Sequence, residues 1–475
     1  MNADKPVSLN LNVRGLRQSA TLAINERCRT LRQEGRSVYN FGLGQSPFPV
    51  PRSVVEALRL AAPRKDYLPV RGLPALREAV AEFHRKRDMV ETHPDGVLIG
   101  PGSKELMFLL QLAYYGEIMV TTPCWVSYLP QAHILGRTVS TLATSRKQRW
   151  KITATQLMSA LEHVEDDYRP RLLVLNYPSN PSGQTYSDVE LKEIAEVARR
   201  FQLVVLSDEI YGQTHHRGEH VSIAGFYPEG TIISSGLSKW CGAGGWRLGT
   251  FFFPPTLYWL LDAMAVVASE TYTSVCAPIQ HAAVKAFEGG AEIERYLWHT
   301  RRILATLGER CVGMLSDAGI KVHQPDGGFY LFLDFSDLRT ALVARGVHDG
   351  PTLCNRLLEE TGVAILPGVS FARPQRELTA RLAYVDFDGD AALAASENTP
   401  LDERLEDKFV EQWCGLVVQG VGRIADWTTG DCGDGGCAGE VVAEAKSSVG
   451  DLHKKRASGE GNPMPLYAGQ YLPTF

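Results

Sequence analysis

Leu172-Leu173-Val174-Leu175-Asn176-Tyr177-Pro178-Ser179-Asn180-Pro181-Ser182-Gly183 is the stretch on which the fold turns. Four apolar residues in a row, too few for a helix and closed by a turn, read as a buried strand. The run from Asn176 to Gly183, rich in Pro, Ser and Asn, ends it. A helix follows. Ser187 and Glu190 form its capping box, and Leu191, Ile194, Ala195 and Ala198 make one apolar face. Leu203 to Leu206 is the next strand and stops at Ser207-Asp208. Further on, Ile232-Ile233 leads into Ser234 to Lys239, and Leu248 to Phe253 is another strand. Short apolar runs alternating with helices signal βαβ units, so the expected class is α/β with a mostly parallel sheet.

Asn180, Asp208 and Lys239 each fall just past the carboxyl end of one of these strands. In open α/β sheets that edge is where ligands bind. Arg381-Leu382-Ala383-Tyr384-Val385 alternates like a half-buried strand. A last helix is expected over Leu401–Trp427, with Phe409, Trp413, Leu416, Val417 and Ile424 on its apolar side. Beyond Thr428 the composition turns Gly-, Asp- and Cys-rich and then polar, which predicts a disordered tail.

The chain has 475 residues, against about 50 to 250 for a typical domain, so two domains are expected. A formal net charge of −5 leaves no basic footprint for nucleic acid. No run of 18 apolar residues is present, and Asp262 interrupts the longest candidate, Leu257 to Val267. The N-terminus lacks the apolar core of a signal peptide. Nine scattered cysteines, an odd count, argue for reduced thiols in a cytoplasmic setting. Cys432 and Cys437 have no His nearby, and His215, His216 and His220 read as solvent-exposed loop residues, so no metal is expected.

Lys239 lies in Gly236-Leu237-Ser238-Lys239-Trp240-Cys241-Gly242-Ala243-Gly244-Gly245-Trp246-Arg247. An amine that must attack an aldehyde needs desolvation and a neighbouring cation, both of which lower its pKa. The small and aromatic flanks and Arg247 supply that setting, and Arg247 can also grip a phosphate as a fork. The segment resembles the Schiff-base signature Ser-x-x-Lys…Gly-Trp-Arg-x-Gly of the class I/II aminotransferases, in the aspartate aminotransferase superfamily. It departs from the pattern at Gly236, where many members have Ser.

Other motifs follow in family order. Asn176 to Gly183 is similar to Asn-Pro-x-Asn-Pro-Thr-Gly, which implies that Asn180 meets the cofactor's phenolic oxygen and the substrate carboxylate. Ser207-Asp208-Glu209-Ile210-Tyr211 resembles Asp-Glu-x-Tyr. The resemblance puts Asp208 on the pyridine nitrogen and Tyr211 on the phenolic oxygen, and leaves Glu209 structural. Gly100-Pro101-Gly102-Ser103-Lys104-Glu105 opens a helix, and Gly-rich turns at helix N-termini bind phosphate. Its family position makes Ser103 and Lys104 the phosphate cup, with Ser238 and Arg247. Pro123-Cys124-Trp125-Val126-Ser127-Tyr128 resembles Pro-x-Trp/Tyr-x-x-Tyr and implies that Trp125 stacks on the ring. Arg381 matches the arginine that forks the α-carboxylate, and Gly44 the glycine over the substrate. Tyr67, ahead of Gly72-Leu73-Pro74-Ala75-Leu76-Arg77, matches a tyrosine that reaches the phosphate of a neighbouring subunit, so the resemblance implies a homodimer with a shared site. Lys104 also resembles a lysine that meets a distal substrate carboxylate.

The likeness spans roughly residues 13 to 425. It implies residues 50–295 as a large cofactor domain, 1–49 with 296–428 as a small one, and 429–475 as the tail. It implies pyridoxal phosphate on Lys239, which moves the α-proton, and an L-amino acid of aspartate or glutamate type as donor to a 2-oxo acid. A lyase or synthase on the same fold is the alternative. A non-catalytic regulator is the weaker one, because only about a dozen residues precede the fold.

Overall fold

The computed structural model describes residues 9–16, 18–162 and 169–430. Its centre is a seven-stranded sheet. The strand order is Val97–Gly100, Gly249–Phe252, Thr231–Gly236, Val204–Asp208, Arg171–Asn176, Glu117–Thr122 and Val139–Ala143. Gly249–Phe252 is antiparallel to both neighbours, and the other six strands share one direction.

The strand Arg171–Asn176 lies inside this sheet, with strands on both sides, which is why Leu172 to Leu175 are apolar without alternation. Leu172 and Val174 pack on one face with Leu106, Leu109 and Leu110 of the helix Ser103–Ala113. Leu173 and Leu175 pack on the other with Leu191, Ile194 and Ala198 of the helix Asp188–Arg200. The capping box forms. Ser187 Oγ accepts from the Glu190 amide, and the Glu190 carboxylate accepts from the Ser187 amide at 2.8 Å.

A second sheet, Leu366–Pro367, Thr379–Ala383 and Tyr330–Asp334, is antiparallel throughout. It follows the 27-residue helix Ala291–Asp317. Tyr39–Asn40 pairs in parallel with Val363–Ala364, so the N-terminal segment joins the C-terminal part of the chain.

Three expectations need correction. The strand around Arg381 is fully buried rather than half-buried, because Thr379–Ala383 is the middle strand of its sheet. The Leu401–Trp427 helix is two helices, Asp407–Trp413 and Gly415–Thr429. Residues 401–406 stay irregular, where Arg302 Nη1 takes the carbonyls of Pro400 (2.9 Å) and Glu403 (3.3 Å). The backbone leaves helical geometry at Cys414. Past that break Val417, Val421 and Ile424 face inward while Leu416 is exposed. The histidines after Tyr211 are not solvent-exposed. His215 is buried, and His220 is nearly so, because the buried Glu209 carboxylate needs a donor and takes His220 Nε2 at 2.8 Å.

The last helix continues through Thr429 and closes on left-handed Gly430. The expected tail beyond it lies outside the described residues. Among the described residues no helix is long and apolar enough to cross a membrane.

The capping box gives a direct test of the local reading. Ser187→Ala should lower stability by about 1 kcal/mol. A lower urea midpoint with an unchanged slope would check it.

Candidate active site

The parallel strands deliver their following turns to one edge of the sheet. Adjacent register sets Asn176 beside Asp208 and Asp208 beside Ser234. The turns after them carry Asn180, Tyr211 and Lys239 to the same place. Ser103 follows the strand ending at Gly100, and Trp125 follows the one ending at Thr122. The second sheet contributes Arg381, and the N-terminal segment contributes Gly44. Together they line a cavity of about 330 Å³.

Lys239 lies in its wall. Nζ donates to the Gly44 carbonyl at 2.8 Å and lies over the rings of Tyr211 and Phe329. Burial, reinforced by the charge of Arg381, pulls its pKa down to about 8. The amine is therefore a usable base and nucleophile near neutral pH. Asp208 is 3% exposed and accepts from Tyr128 Oη at 2.5 Å and Ser234 Oγ at 3.3 Å. Burial raises its pKa to about 6 against these hydrogen bonds. Asp208 makes no salt bridge with a cation among the described residues, so it is a carboxylate with an unmet demand for positive charge.

At one end, the N-terminus of the helix Ser103–Ala113 faces Arg247. Arg247 is held in the left-handed region with φ 54°, and its guanidinium donates to the carbonyls of Gly244 (2.9 Å) and Pro101 (3.3 Å). The approach works only without side chains. A Cβ on Gly102 would collide with the Arg247 guanidinium, and one on Gly249 with the Ser103 backbone. Free helix amides, a helix dipole and a guanidinium make an anion site. Gly236 also has a physical reason: a Cβ there would lie 2.8 Å from the Leu248 carbonyl.

At the other end, Arg381 is 1% exposed and packs over Tyr330 and Phe371. Nη1 donates to Asn180 Oδ1 at 3.2 Å and Nη2 to the Gly42 carbonyl, while Nε has no partner. A buried guanidinium with no carboxylate in reach among the described residues is built to receive one. Another cation, Lys104, in the first turn of the helix Ser103–Ala113, lines the same cavity with Nζ 5.1 Å from the Trp125 ring centroid. Burial and the nearby Arg247 lower its pKa.

The structure thus brings together Gly44, Ser103, Lys104, Trp125, Asn180, Asp208, Tyr211, Ser238, Lys239, Arg247 and Arg381. Tyr67 stands apart, on a loop and 90% exposed, and does not line the cavity. The sequence reading missed Tyr128, Tyr330, Thr21 and Leu22. Tyr128 was within reach, because its spacing from Trp125 puts both at one strand end. Tyr330 comes from the second sheet, and no local signal ties it to the first. Asp88, Glu209 and His220 bring metal-type donor atoms within 4.8 Å of one another, away from this cavity. Those donors are engaged: Asp88 Oδ2 lies 2.6 Å from His84 Nδ1, and Glu209 accepts from His220.

Known proteins carry the same arrangement of chain. The family model for aminotransferase class I and II matches residues 36–384. An aspartate aminotransferase of Bacillus sp. (strain YM-2) is 30% identical over 78% of this chain and 93% of its own. An asparagine–oxo-acid transaminase of Streptococcus mutans is 30% identical over 79% and 94%. An aspartate/prephenate aminotransferase of Thermus thermophilus is 31% identical over 77% and 91%. The solved structure of aspartate aminotransferase from Thermus thermophilus with maleate superposes with a TM-score of 0.75 at 27% identity. The match covers 88% of this chain and 99% of that one.

The raised Asp208 carboxyl has a consequence for stability. Ionising it in the folded, cofactor-free protein is unfavourable, so stability falls as pH rises from the ordinary value of 3.8 through about 6. Asp208→Asn should therefore raise the melting temperature of cofactor-free protein at pH 8, by the equivalent of roughly 1–3 kcal/mol. The gain should vanish at pH 4. Melting curves at the two pH values decide it, and a gain that is larger in acid would contradict the assignment.

Proposed function

The chain belongs to the class I and II aminotransferase family, and on that premise we propose that it takes the amino group of a dicarboxylic L-amino acid to a 2-oxo acid with pyridoxal phosphate on Lys239. One observation carries the reading. A buried amine of lowered pKa stands between an unpaired buried carboxylate, Asp208, and an unpaired buried guanidinium, Arg381.

The residues present fit the cofactor. The glycine-lined cradle of Gly102, Ser103 and Arg247, with Ser238, would hold its phosphate. Asp208 would answer a protonated ring nitrogen, which meets the demand that burial creates. Tyr211 and Asn180 would serve the phenolic oxygen, and Trp125 offers an aromatic face in the same cavity. When bound, pyridoxal phosphate supplies an electron sink for the carbanion at the substrate α-carbon and carries the amino group between the two half-reactions.

The chain's own groups do the rest. Arg381 forks the substrate α-carboxylate, and Asn180, already on Arg381, shares it. This fixes the α-carbon near Lys239. Lys239 Nζ, uncharged in part near neutral pH, would take the α-proton as general base and hold it for return as general acid. Burial of the surrounding groups keeps water from competing for that proton. Lys104 in the cavity wall would meet a distal carboxylate, which would relieve the lowered pKa of its amine. The names of the relatives, which specify aspartate, asparagine and prephenate, support acidic or amide-bearing substrates. All three are transaminases, which favours transfer over the lyase, synthase and regulator readings.

Three further parts of the reading concern domains, assembly and setting. The division into residues 50–295 and a body of 1–49 with 296–428 is supported by the pairing of Tyr39–Asn40 with Val363–Ala364. A homodimer is supported by Tyr67, a phosphate ligand in the family pattern that stands exposed here. A cytoplasmic setting is supported by the seven described cysteines, none of them in a disulfide.

Two experiments test the function. Borohydride-treated holoenzyme should carry the cofactor on the Lys239 peptide, and Lys239→Ala should bind it without a covalent link and lose turnover. Label on another lysine would overturn the assignment. For specificity, Lys104→Ala should reduce kcat/KM for aspartate and glutamate by the equivalent of roughly 2–5 kcal/mol. Alanine and aromatic donors should lose much less. Equal losses across donors would remove the dicarboxylate reading.

A further inference from the structure

Tyr330 belongs to the strand Tyr330–Asp334 of the second sheet, yet its hydroxyl lies 2.7 Å from that of Tyr211, at the edge of the first. The two rings meet edge to face, with centroids 5.5 Å apart, and both are buried. The Arg381 guanidinium carbon stands 4.8 Å from the Tyr330 ring centroid. The N-terminal segment closes on the same hydroxyl, since a Cβ on Gly44 would collide with it. One phenol therefore touches the arginine read as the carboxylate fork, the tyrosine read as serving the cofactor, and the segment that holds Lys239 Nζ.

Two hydroxyls at 2.7 Å share one donor. If Tyr211 gives its proton to the phenolic oxygen of the cofactor, its own oxygen is left to accept, and Tyr330 is the donor. Hydrogen bonds in such a chain polarise one another, so a stronger gift from Tyr330 makes Tyr211 a stronger donor in turn. The cation over the Tyr330 ring withdraws electron density and strengthens that gift. A carboxylate on Arg381 cancels the cation. We propose that Tyr330 is a positioning residue that relays the occupancy of Arg381 to Tyr211, so that proton affinity beside Lys239 rises when a substrate carboxylate arrives.

The proposal rests on the reading of Arg381 and Tyr211 given above. A parallel route exists, because Arg381 also holds Asn180 at 3.2 Å, so removal of Tyr330 Oη should remove part of the coupling. The charged groups facing this region are Lys104, Asp208, Lys239, Arg247 and Arg381. A Tyr330→Phe change leaves all of them in place and keeps the ring.

The test titrates the visible absorption band of the holoenzyme with pH, with and without maleate, a dicarboxylate that has no amine to react. Donation to the phenolic oxygen favours the deprotonated form, so it lowers the midpoint. In the wild type, maleate should raise the midpoint by roughly one pH unit. In Tyr330→Phe the maleate-free midpoint should already be higher, and the rise with maleate should be at most half as large. Maleate affinity should change by no more than about threefold. In a Tyr211→Phe background, Tyr330→Phe should add nothing. An undiminished rise in Tyr330→Phe, or a full further effect in the Tyr211→Phe background, overturns the relay. Arg381→Gln separates the two levels. If it keeps wild-type maleate affinity, the carboxylate reading itself falls. If it loses maleate while Tyr330→Phe keeps the full rise, only the relay falls.

Discussion

The site depends on charges buried in one cavity without being allowed to neutralise one another. Lys239, Asp208 and Arg381 are all inside, and no ion pair forms among them. Burying an unpaired charge is costly, and a protein usually pairs it or titrates it away. Here both responses are partial. Asp208 drifts up and Lys239 drifts down, each towards its neutral form, while Arg381 stacks on aromatic rings and bonds to an amide and a carbonyl. The fold keeps the three apart because they arrive on different strands and sheets, each clamped by its own core. A cation beside Asp208 and a carboxylate on Arg381 would each remove part of the cost that burial imposes.

The second constraint is space. The cradle at the helix Ser103–Ala113 exists because Gly102 and Gly249 have no Cβ, and the contact between Tyr330 and the N-terminal segment exists because Gly44 has none. These glycines are not turn formers that happen to be near a site. Each stands where a backbone must approach a guanidinium, an amide or a phenol more closely than a side chain permits. Gly236 belongs to the same group, and the departure from the usual serine at that position follows from the neighbouring Leu248 carbonyl.

Much of this was legible in the sequence because it is local. Leu172 to Leu175 declares a buried strand, the Ser187–Glu190 pair declares a helix start, and Asp208 and Lys239 fall at or just past strand ends. What failed depends on tertiary packing. Arg381 reads as part of a half-buried strand, and only its central place in the second sheet buries it fully. The break at Cys414 is marked in the sequence only by the following Gly415, so the segment reads as one helix with Leu416 inside, whereas the structure exposes Leu416. His220 reads as a loop histidine. Its burial depends on Glu209, whose own need for donors is invisible until the fold closes over it. Tyr330 was missed for the same reason, since no spacing rule links residue 330 to residue 211.

Glu209 shows how the fold holds Asp208 in a state that burial disfavours. Successive residues at a strand end point to opposite sides, so Asp208 faces the cavity while Glu209 faces the layer behind it. There the Glu209 carboxylate lies 2.6 Å from the hydroxyls of both Ser207 and Ser222 and 2.8 Å from His220 Nε2. Burial pulls the pKa of that histidine down, but the charge and hydrogen bond of Glu209, with the charge of Asp88, together raise it. Tyr177 Oη closes the set at 3.4 Å and itself accepts from the Ile223 amide. A carboxylate with this many donors cannot rotate without breaking several bonds at once, and its backbone carries Asp208 with it. The Asp208 carboxylate is itself held by Tyr128 Oη and Ser234 Oγ, so both its backbone and its head group are anchored. The cost of its ionisation is retained for a bound cation to remove, which makes the affinity for that cation a property of the satisfied network behind the site as much as of the site itself.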